Sequence, residues 1–454
     1  MSYRIRNILL LAVAWTALIT AHGAGAAPPF VSGEVAVYAT PDELPGHKVA
    51  RYLPHAGITV LKVASGKEWG LVQRLRAKGK QAGLNLIATA SYTPNDGLFS
   101  YQWHMQSIQA PEAWDLSNGN GVIVAVLDTG LATGGPDGIG CVSPGYDIVN
   151  NDADPADGNG HGTHVSGTIG QATDNLTGVA GVAYGACVMP VKVLDDSGSG
   201  SFADIADGIY YAVDQGAAVI NMSLGVNARY GITNDPVMDP ALDYAYNHAV
   251  TVVAAAGNDG NRRNVSYPAI YPSVIAVGAT DYRDQVTSYS NKGKGLDLMA
   301  PGGDTKRDDN NDGYGDGVLQ ETYYNGSWGY WFFQGTSMAS PHVAGAAAVL
   351  ISNGAASTPD QVVQLLESTA KDLGDPGYDK NYGYGLIQLH AALTGSVPPP
   401  PPSCTDADGD GYCADVAPID CDDSNPKVHP GANDTKGKAG HDGIDNDCNG
   451  IIDG

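Results

Sequence analysis

The chain has 454 residues, 43% of them hydrophobic and 16% charged, with a formal charge of −25. That size and apolar fraction fit one large folded domain with accessory segments, and 60 glycines among few charges argue against a coiled coil or a wholly disordered chain. The acidity argues against nucleic acid as a partner, and no run reaches the roughly 18 apolar residues of a membrane span.

At the start, Arg4 and Arg6 precede the mostly apolar stretch Ile8–Ala21 and the small residues Ala24-Gly25-Ala26. This pattern predicts an export signal over residues 1–26, hence a secreted protein. Residues 27–97 carry a pattern of their own. Ile58–Val63 alternates as a strand does, Glu68–Lys80 places Leu71, Val72 and Leu75 at helical spacing, and Leu86–Ala90 is strand-like again. A small βαβ-like unit is expected there.

Over residues 98–395, short apolar runs alternate with helical patterns. Val122–Leu127, Val188–Leu194, Ala217–Met222, Val250–Ala256 and Val274–Val277 lack polar alternation. Such runs suit parallel strands buried on both faces, so the expected fold is α/β, a three-layer sandwich around a mostly parallel sheet. Thr358-Pro359-Asp360-Gln361 has the form of a capping box with Pro at the first helical position, which predicts a helix carrying Val362, Val363, Leu365 and Leu366.

Five prolines, Pro398–Pro402, mark an extended linker over residues 396–403. The tail, residues 404–454, holds 12 Asp, no Glu and few large apolar residues, so it cannot build much core unaided. Of the six cysteines, Cys141 and Cys187 lie in the main body and Cys404, Cys413, Cys421 and Cys448 in the tail. The simplest pairing joins Cys141 to Cys187 and the other four among themselves.

Strand ends in open α/β sheets collect functional groups. Val124–Leu127 runs into Asp128-Thr129-Gly130, and Val252–Ala256 into Gly257-Asn258. Gly160-His161-Gly162-Thr163-His164 places a histidine at a helix start, and Gly335-Thr336-Ser337-Met338-Ala339-Ser340-Pro341-His342 places a serine before a small-residue helix. A serine there is commonly a cap, but free N–H groups and the helix dipole would also favour an oxyanion.

Together these motifs resemble the subtilisin (subtilase) family of serine proteases, in the order Asp, His, Ser. The resemblance implies a serine endopeptidase acting on proteins and peptides through an acyl-enzyme. Ser337 is then the nucleophile, His161 the base, Asp128 its orienting partner, and Asn258 an oxyanion donor. His164 and His342 are read as structural. The implied substrate cleft has walls at Ser223-Leu224-Gly225 and Ala255-Ala256-Gly257, an edge at Ser197-Gly198-Ser199 running on to Gly200, and a floor near Ser266 with no acid in view. Residues 27–97 are then an inhibitory propeptide that assists folding and is removed by self-cleavage near Pro94–Phe99, leaving a monomer active at neutral to alkaline pH.

Oxygen-rich loops suggest several Ca²⁺ sites. Asp308, Asn310, Asp312 and Asp316 lie in one such stretch, and Asp406, Asp408 and Asp410 open the tail. Asp445 and Asp447 lie near its end. The tail resembles Asp-rich, Cys-containing metal-binding modules, and its oxygen ligands favour Ca²⁺ over copper or zinc. The family resemblance adds Asp137 and Asn175. An alternative reading is an inactive binding or adhesion protein that docks through its acidic tail, which a complete constellation argues against. The acid-active serine-carboxyl peptidases would need Glu at 161 and Asp at 258.

Overall fold

The computed structural model describes residues 30–87 and 93–395. The expected signal, the linker and the Asp-rich tail, with Asp406, Asp408, Asp410, Asp445 and Asp447, lie outside the described residues. The chain divides into two units, one comprising residues 1–89 with 402–454 and the other residues 90–401.

In the first unit, β1 (Phe30–Tyr38), β2 (Lys48–Leu53), β3 (Ile58–Lys62), α1 (Glu68–Ala77) and β4 (Ala82–Leu86) follow one another. The sheet order is β2-β3-β1-β4 with antiparallel pairing. Val35, Val37 and Leu61 meet Leu71, Val72 and Leu75 of the helix in one small core. The last described strand, β4, ends at Leu86, where the predicted strand Leu86–Ala90 begins, and residues 88–90 of that prediction lie outside the described residues; β1 and β2 have no counterpart in the sequence reading. Gly33 and Glu34 interrupt the alternation of β1. Gly33 takes a φ of +78°, and its N–H donates to the buried carboxylate of Glu68 at 2.6 Å.

In the second unit, α2 (Trp103–Ser107) and α3 (Ala110–Trp114) precede β5 (Ile123–Asp128), β6 (Tyr146–Asp147), α4 (His161–Gly170) and β7 (Cys187–Lys192). Then come α5 (Phe202–Asp214), β8 (Val219–Met222), α6 (Asp239–Asn247), β9 (Thr251–Ala255), β10 (Val274–Thr280) and β11 (Leu298–Pro301). The hairpin β12 (Val318–Tyr324) and β13 (Ser327–Phe333) leads to α7 (Thr336–Asn353), α8 (Pro359–Thr369) and α9 (Leu389–Thr394).

Seven strands form a parallel sheet in the order β11-β10-β9-β8-β5-β7-β6. The sheet separates two cores. Val124 and Val126 of β5 point to the core with α4 and α7, whereas Ala125 and Leu127 point to the core with α5 and α6. Apart from the two-residue edge strand β6, each strand feeds both layers, which is why its sequence is apolar at consecutive positions rather than alternating. The α/β three-layer expectation holds. Cys141 and Cys187 are joined in a disulfide that closes a 46-residue separation.

Thr358 caps α8, accepting from Gln361 N at 3.4 Å, but the Gln361 amide oxygen takes the N–H of Ser357 rather than that of Thr358. The hairpin β12–β13 lies in the segment between Pro301 and Gly335, where the sequence reading placed only an acidic loop. No helix of the described residues is long and apolar enough to cross a membrane.

Candidate active site

Asp128 is the last residue of β5, His161 the first of α4, and Ser337 the second of α7. Glycine lets the first two segments meet. A Cβ on Gly162 would lie 2.4 Å from the Gly130 carbonyl, and one on Gly130, whose φ is +109°, would lie 2.4 Å from that of Pro155. The Gly162 N–H instead donates to Thr129 Oγ1 at 2.9 Å. The buried Asp157 carboxylate accepts from Asn159 N, Gly160 N and Thr163 N, all at 2.9 Å, and from Thr163 Oγ1 at 2.6 Å. These donors are the open N–H groups of a helix start, so Asp157 sets the beginning of α4 and the position of His161.

The His161 Nδ1–H donates to Asp128 Oδ1 at 2.7 Å, and the same oxygen accepts from Thr129 N at 2.7 Å. Asp128 is fully buried and its Oδ2 has no partner. Burial opposes the imidazolium, but the charge and hydrogen bond of Asp128, with Asp157 behind, outweigh it and hold the His161 pKa above its ordinary value.

Ser337 faces the same cleft. Its hydroxyl donates to the Ser223 carbonyl at 3.3 Å rather than to His161. The opposite bond, Ser223 Oγ to the Ser337 carbonyl, measures 2.8 Å. Pro341 explains it. Proline has no N–H, so the carbonyl four residues earlier, that of Ser337, is left without its helical donor, and Ser223 supplies one. Asn258 Oδ1 accepts from both the N–H and the hydroxyl of Thr336, each at 2.9 Å. Both bonds use the amide oxygen, so the NH₂ keeps its hydrogens for a ligand in the cleft.

The cleft holds about 560 Å³ and is lined by His161, Ser337, Asn258, Ser223, Leu224, Gly225, Ala255, Gly257, Gly198 and Ser199. Two expected lining residues are elsewhere. Ala256 is fully buried in the core with α5 and α6, because strand alternation turns it away from Ala255. Ser197 turns its hydroxyl to Asp195 at 2.6 Å, and Gly200 lines the wall beside Ser199. Ser266 does line the cleft, but so does Asp259, an acid the sequence reading did not place there. Its carboxylate accepts from Asn227 Nδ2, Ala228 N and Asn291 Nδ2.

His164 and His342 stay out of this cleft. His164 Nε2–H faces the carbonyls of Val318 and Trp331 at 3.1 and 3.0 Å, and its ring stacks on Phe333. His342 shares a 2.8 Å hydrogen bond with His104, a residue the motifs did not single out. Burial pushes His164 down to about 3 and His342 to about 4, so both are neutral rings.

Among the possible cation sites, Asp137 accepts from Asn175 Nδ2 at 2.8 Å and Val179 N at 2.9 Å. Burial, with Glu321 and Asp96 nearby, raises its pKa to about 6. Asp96, which no sequence motif singled out, is the nearby acid on the N-terminal side. It accepts from Asp174 N at 2.8 Å, and its other oxygen is buried without a partner. Among the described residues neither carboxylate has an ion-pair partner. An orphaned oxygen beside uncompensated acids suits an oxygen-seeking cation. In the other loop, Asp308 and Asn310 accept from Asp312 N at 3.1 and 3.0 Å, and Asp316, 2% exposed, leaves one oxygen unpartnered. No three His, Cys, Asp or Glu side chains among the described residues already converge as a metal cage.

A family model described as "Subtilase family" matches residues 119–385, and one described as "Putative metal-binding motif" matches residues 420–454. Thermitase of Thermoactinomyces vulgaris is 42% identical over 287 residues, covering 63% of this chain and 94% of that protein. Minor extracellular protease Epr of Bacillus subtilis (strain 168) is 36% identical over 297 residues, 65% of this chain and 42% of its own length. Among solved structures, a protease from Pseudoalteromonas arctica PAMC 21717 aligns with a TM-score of 0.59 at 36% identity, covering 67% of this chain and 99% of that one.

Proposed function

The chain belongs to the subtilase family and is a serine endopeptidase, and from that premise we propose that Asp128, His161 and Ser337 form its catalytic triad, with Asn258 as oxyanion donor. The observation that carries this reading is the 2.7 Å His161–Asp128 bond at the mouth of the cleft that also holds Ser337 and Asn258. For reaction the Ser337 hydroxyl leaves the Ser223 carbonyl and donates to Nε2 of His161, which lines the same cleft. The oxygen then attacks the substrate carbonyl while its proton passes to Nε2, and Asp128 stabilises the imidazolium. The oxyanion accepts hydrogen bonds from the Asn258 amide and from the Ser337 N–H at the start of α7. As the C–N bond breaks, His161 returns the proton to the leaving amine. Water, deprotonated by the same imidazole, then releases the acyl group from Ser337.

Ca²⁺ would be held by Asp96, Asp137 and Asn175, and in a second loop by Asp308, Asn310, Asp312 and Asp316; its contribution there is to neutralise buried acids and fix loops. The Asp-rich module, residues 404–454, is a further metal-binding segment, a reading supported by the match over residues 420–454. Ala256 belongs to the core behind the substrate cleft, and Ser197 to the exposed turn beside it. Residues 1–26 are the export signal, the propeptide expected over residues 27–97 ends a few residues sooner, before Asn95, and the enzyme acts outside the cell as a monomer. The extracellular designation of the Bacillus subtilis relative supports that location. Asn95 Oδ1 accepts from Leu176 N at 2.7 Å, and the Asp96 contacts lie beside it, so the self-cleavage that leaves them in place falls before Asn95.

A serine-directed fluorophosphonate and casein test the central claim on the mature protein. Labelling at Ser337, and loss of both labelling and hydrolysis in Ser337→Ala, are expected. Casein cleavage that survives in Ser337→Ala refutes the assignment.

A further inference from the structure

Lys192 ends β7, directly beside Asp128 in the parallel register. Its side chain is 5% exposed. The ammonium donates to the Thr129 carbonyl at 2.7 Å and to Asp196 Oδ1 at 2.8 Å. A cation buried this deeply is costly without such partners, so its position ties the residue after the catalytic Asp to Asp196.

Asp196 reaches two further places. Its Oδ1 accepts from Gly158 N at 3.3 Å, and its backbone carbonyl accepts from Asn159 Nδ2 at 3.0 Å. Asn159 in turn accepts from the His161 N–H at 3.2 Å. Only glycine admits the carboxylate at position 158, where a Cβ would lie 2.4 Å from Asp196 Oδ2. Asp196 also sits inside the turn closed by Asp195 N to Ser199 O at 2.8 Å. That turn presents Gly198 and Ser199 to the cleft.

We propose that Lys192 and Asp196 form a positioning brace that links the substrate edge of the cleft to the loops of Asp128 and His161. Neither side chain reaches the reacting atoms. The brace acts through the backbone on both sides, so that an extended substrate paired along the 198–200 edge presses on a rigid frame rather than on a free loop. Binding energy from residues remote from the scissile bond is then available for the chemical step. Short substrates that do not reach the edge draw less on it.

The inference rests on the proteolytic reading of the cleft, and its test is separable from it. The ratio of kcat/KM for a tetrapeptide amide to that for a single-residue amide is measured on enzyme titrated with fluorophosphonate. Asp196→Ala, at a side chain 66% exposed and so compatible with folding, is expected to cut this ratio by about tenfold or more, chiefly through kcat of the long substrate. Asp196→Asn keeps an oxygen facing the ammonium and should retain most of the ratio. Lys192→Met should act like Asp196→Ala, and the double variant should lose little more than either alone. A wild-type ratio in Asp196→Ala, or equal losses for both substrates with no rescue by Asn, overturns the brace. Absence of labelling in the unaltered enzyme would instead overturn the proteolytic reading.

Discussion

At the scale of single residues, the proposed triad makes the protonation of one imidazole govern the working pH. In that proposal His161 has to be neutral to accept the Ser337 proton. Its pKa lies above the ordinary histidine value of about 6.5, because Asp128 and Asp157 favour the charged ring over the opposing effect of burial. Activity is therefore lost as pH falls, and the midpoint of the acid limb of kcat/KM is expected above about 6.5. A profile that stays flat down to pH 5 contradicts this. Asn258→Leu should lower kcat by roughly 10²–10³ with little change in KM, a magnitude measured for such a donor in a subtilisin rather than derived from this chain. Steady-state kinetics on a peptide amide would show it. An equal rise in KM at constant kcat would mean that the amide binds substrate without favouring the transition state.

At the scale of elements, helix starts carry the chemistry and buried polar pairs hold them. α4 begins on the Asp157 carboxylate and α7 tolerates Pro341 because Ser223 takes the freed carbonyl. Between α2, α4 and α7 lie the neutral rings of His104, His164 and His342. In the folded state His342 titrates at about 4, whereas an unfolded histidine titrates near 6.5. Between those values the unfolded chain binds more protons, so stability is full above about pH 6.5 and falls as pH drops towards 4. The loss reaches about 3 kcal/mol for this residue alone. Thermal scans across that range should show a falling unfolding temperature. An unfolding temperature constant from pH 7 to pH 4 would refute the account. At the start of α8, Thr358→Ala should cost about 1 kcal/mol of stability, read from denaturant unfolding, and leave kcat unchanged.

At the scale of the whole molecule, a chain with formal charge −25 concentrates some of its acids where no cation of its own compensates them. Asp96 and Asp137 join the N-terminal strap of the second unit to the 174–179 loop through such a pair. A cation bound there, as proposed, would stabilise the folded state by mass action, about 3 kcal/mol at a hundredfold excess over Kd. Chelation should therefore lower the unfolding temperature and added Ca²⁺ restore it. Asp96→Ala should remove a large share of that response in calorimetry. An unfolding temperature insensitive to chelator would count against the site.

Motifs of consecutive residues were legible because each encodes a local geometry. An apolar run ending in Asp128, a histidine between glycines and a serine before small residues each state their own position on a strand or helix end. The parallel sheet could be read for the same reason, since strands buried on both faces lose their alternation. The hairpin β12–β13 and the first strand of the small unit stayed hidden, because polar and glycine positions blur their period. Ala256 and Ser197 sit within motifs that the family resemblance assigns to the cleft, and only the pleat and the Asp195 turn decide that they face away. Asp96, His104, Asp157, Lys192 and Asp196 carry no motif. Their meaning comes from partners brought close by folding, such as Asp137, His342, Thr163, Thr129 and Gly158. Local spacing records which backbone conformation a segment adopts, whereas the field and hydrogen bonds at a buried group depend on segments far along the chain, and those only the packed molecule brings together.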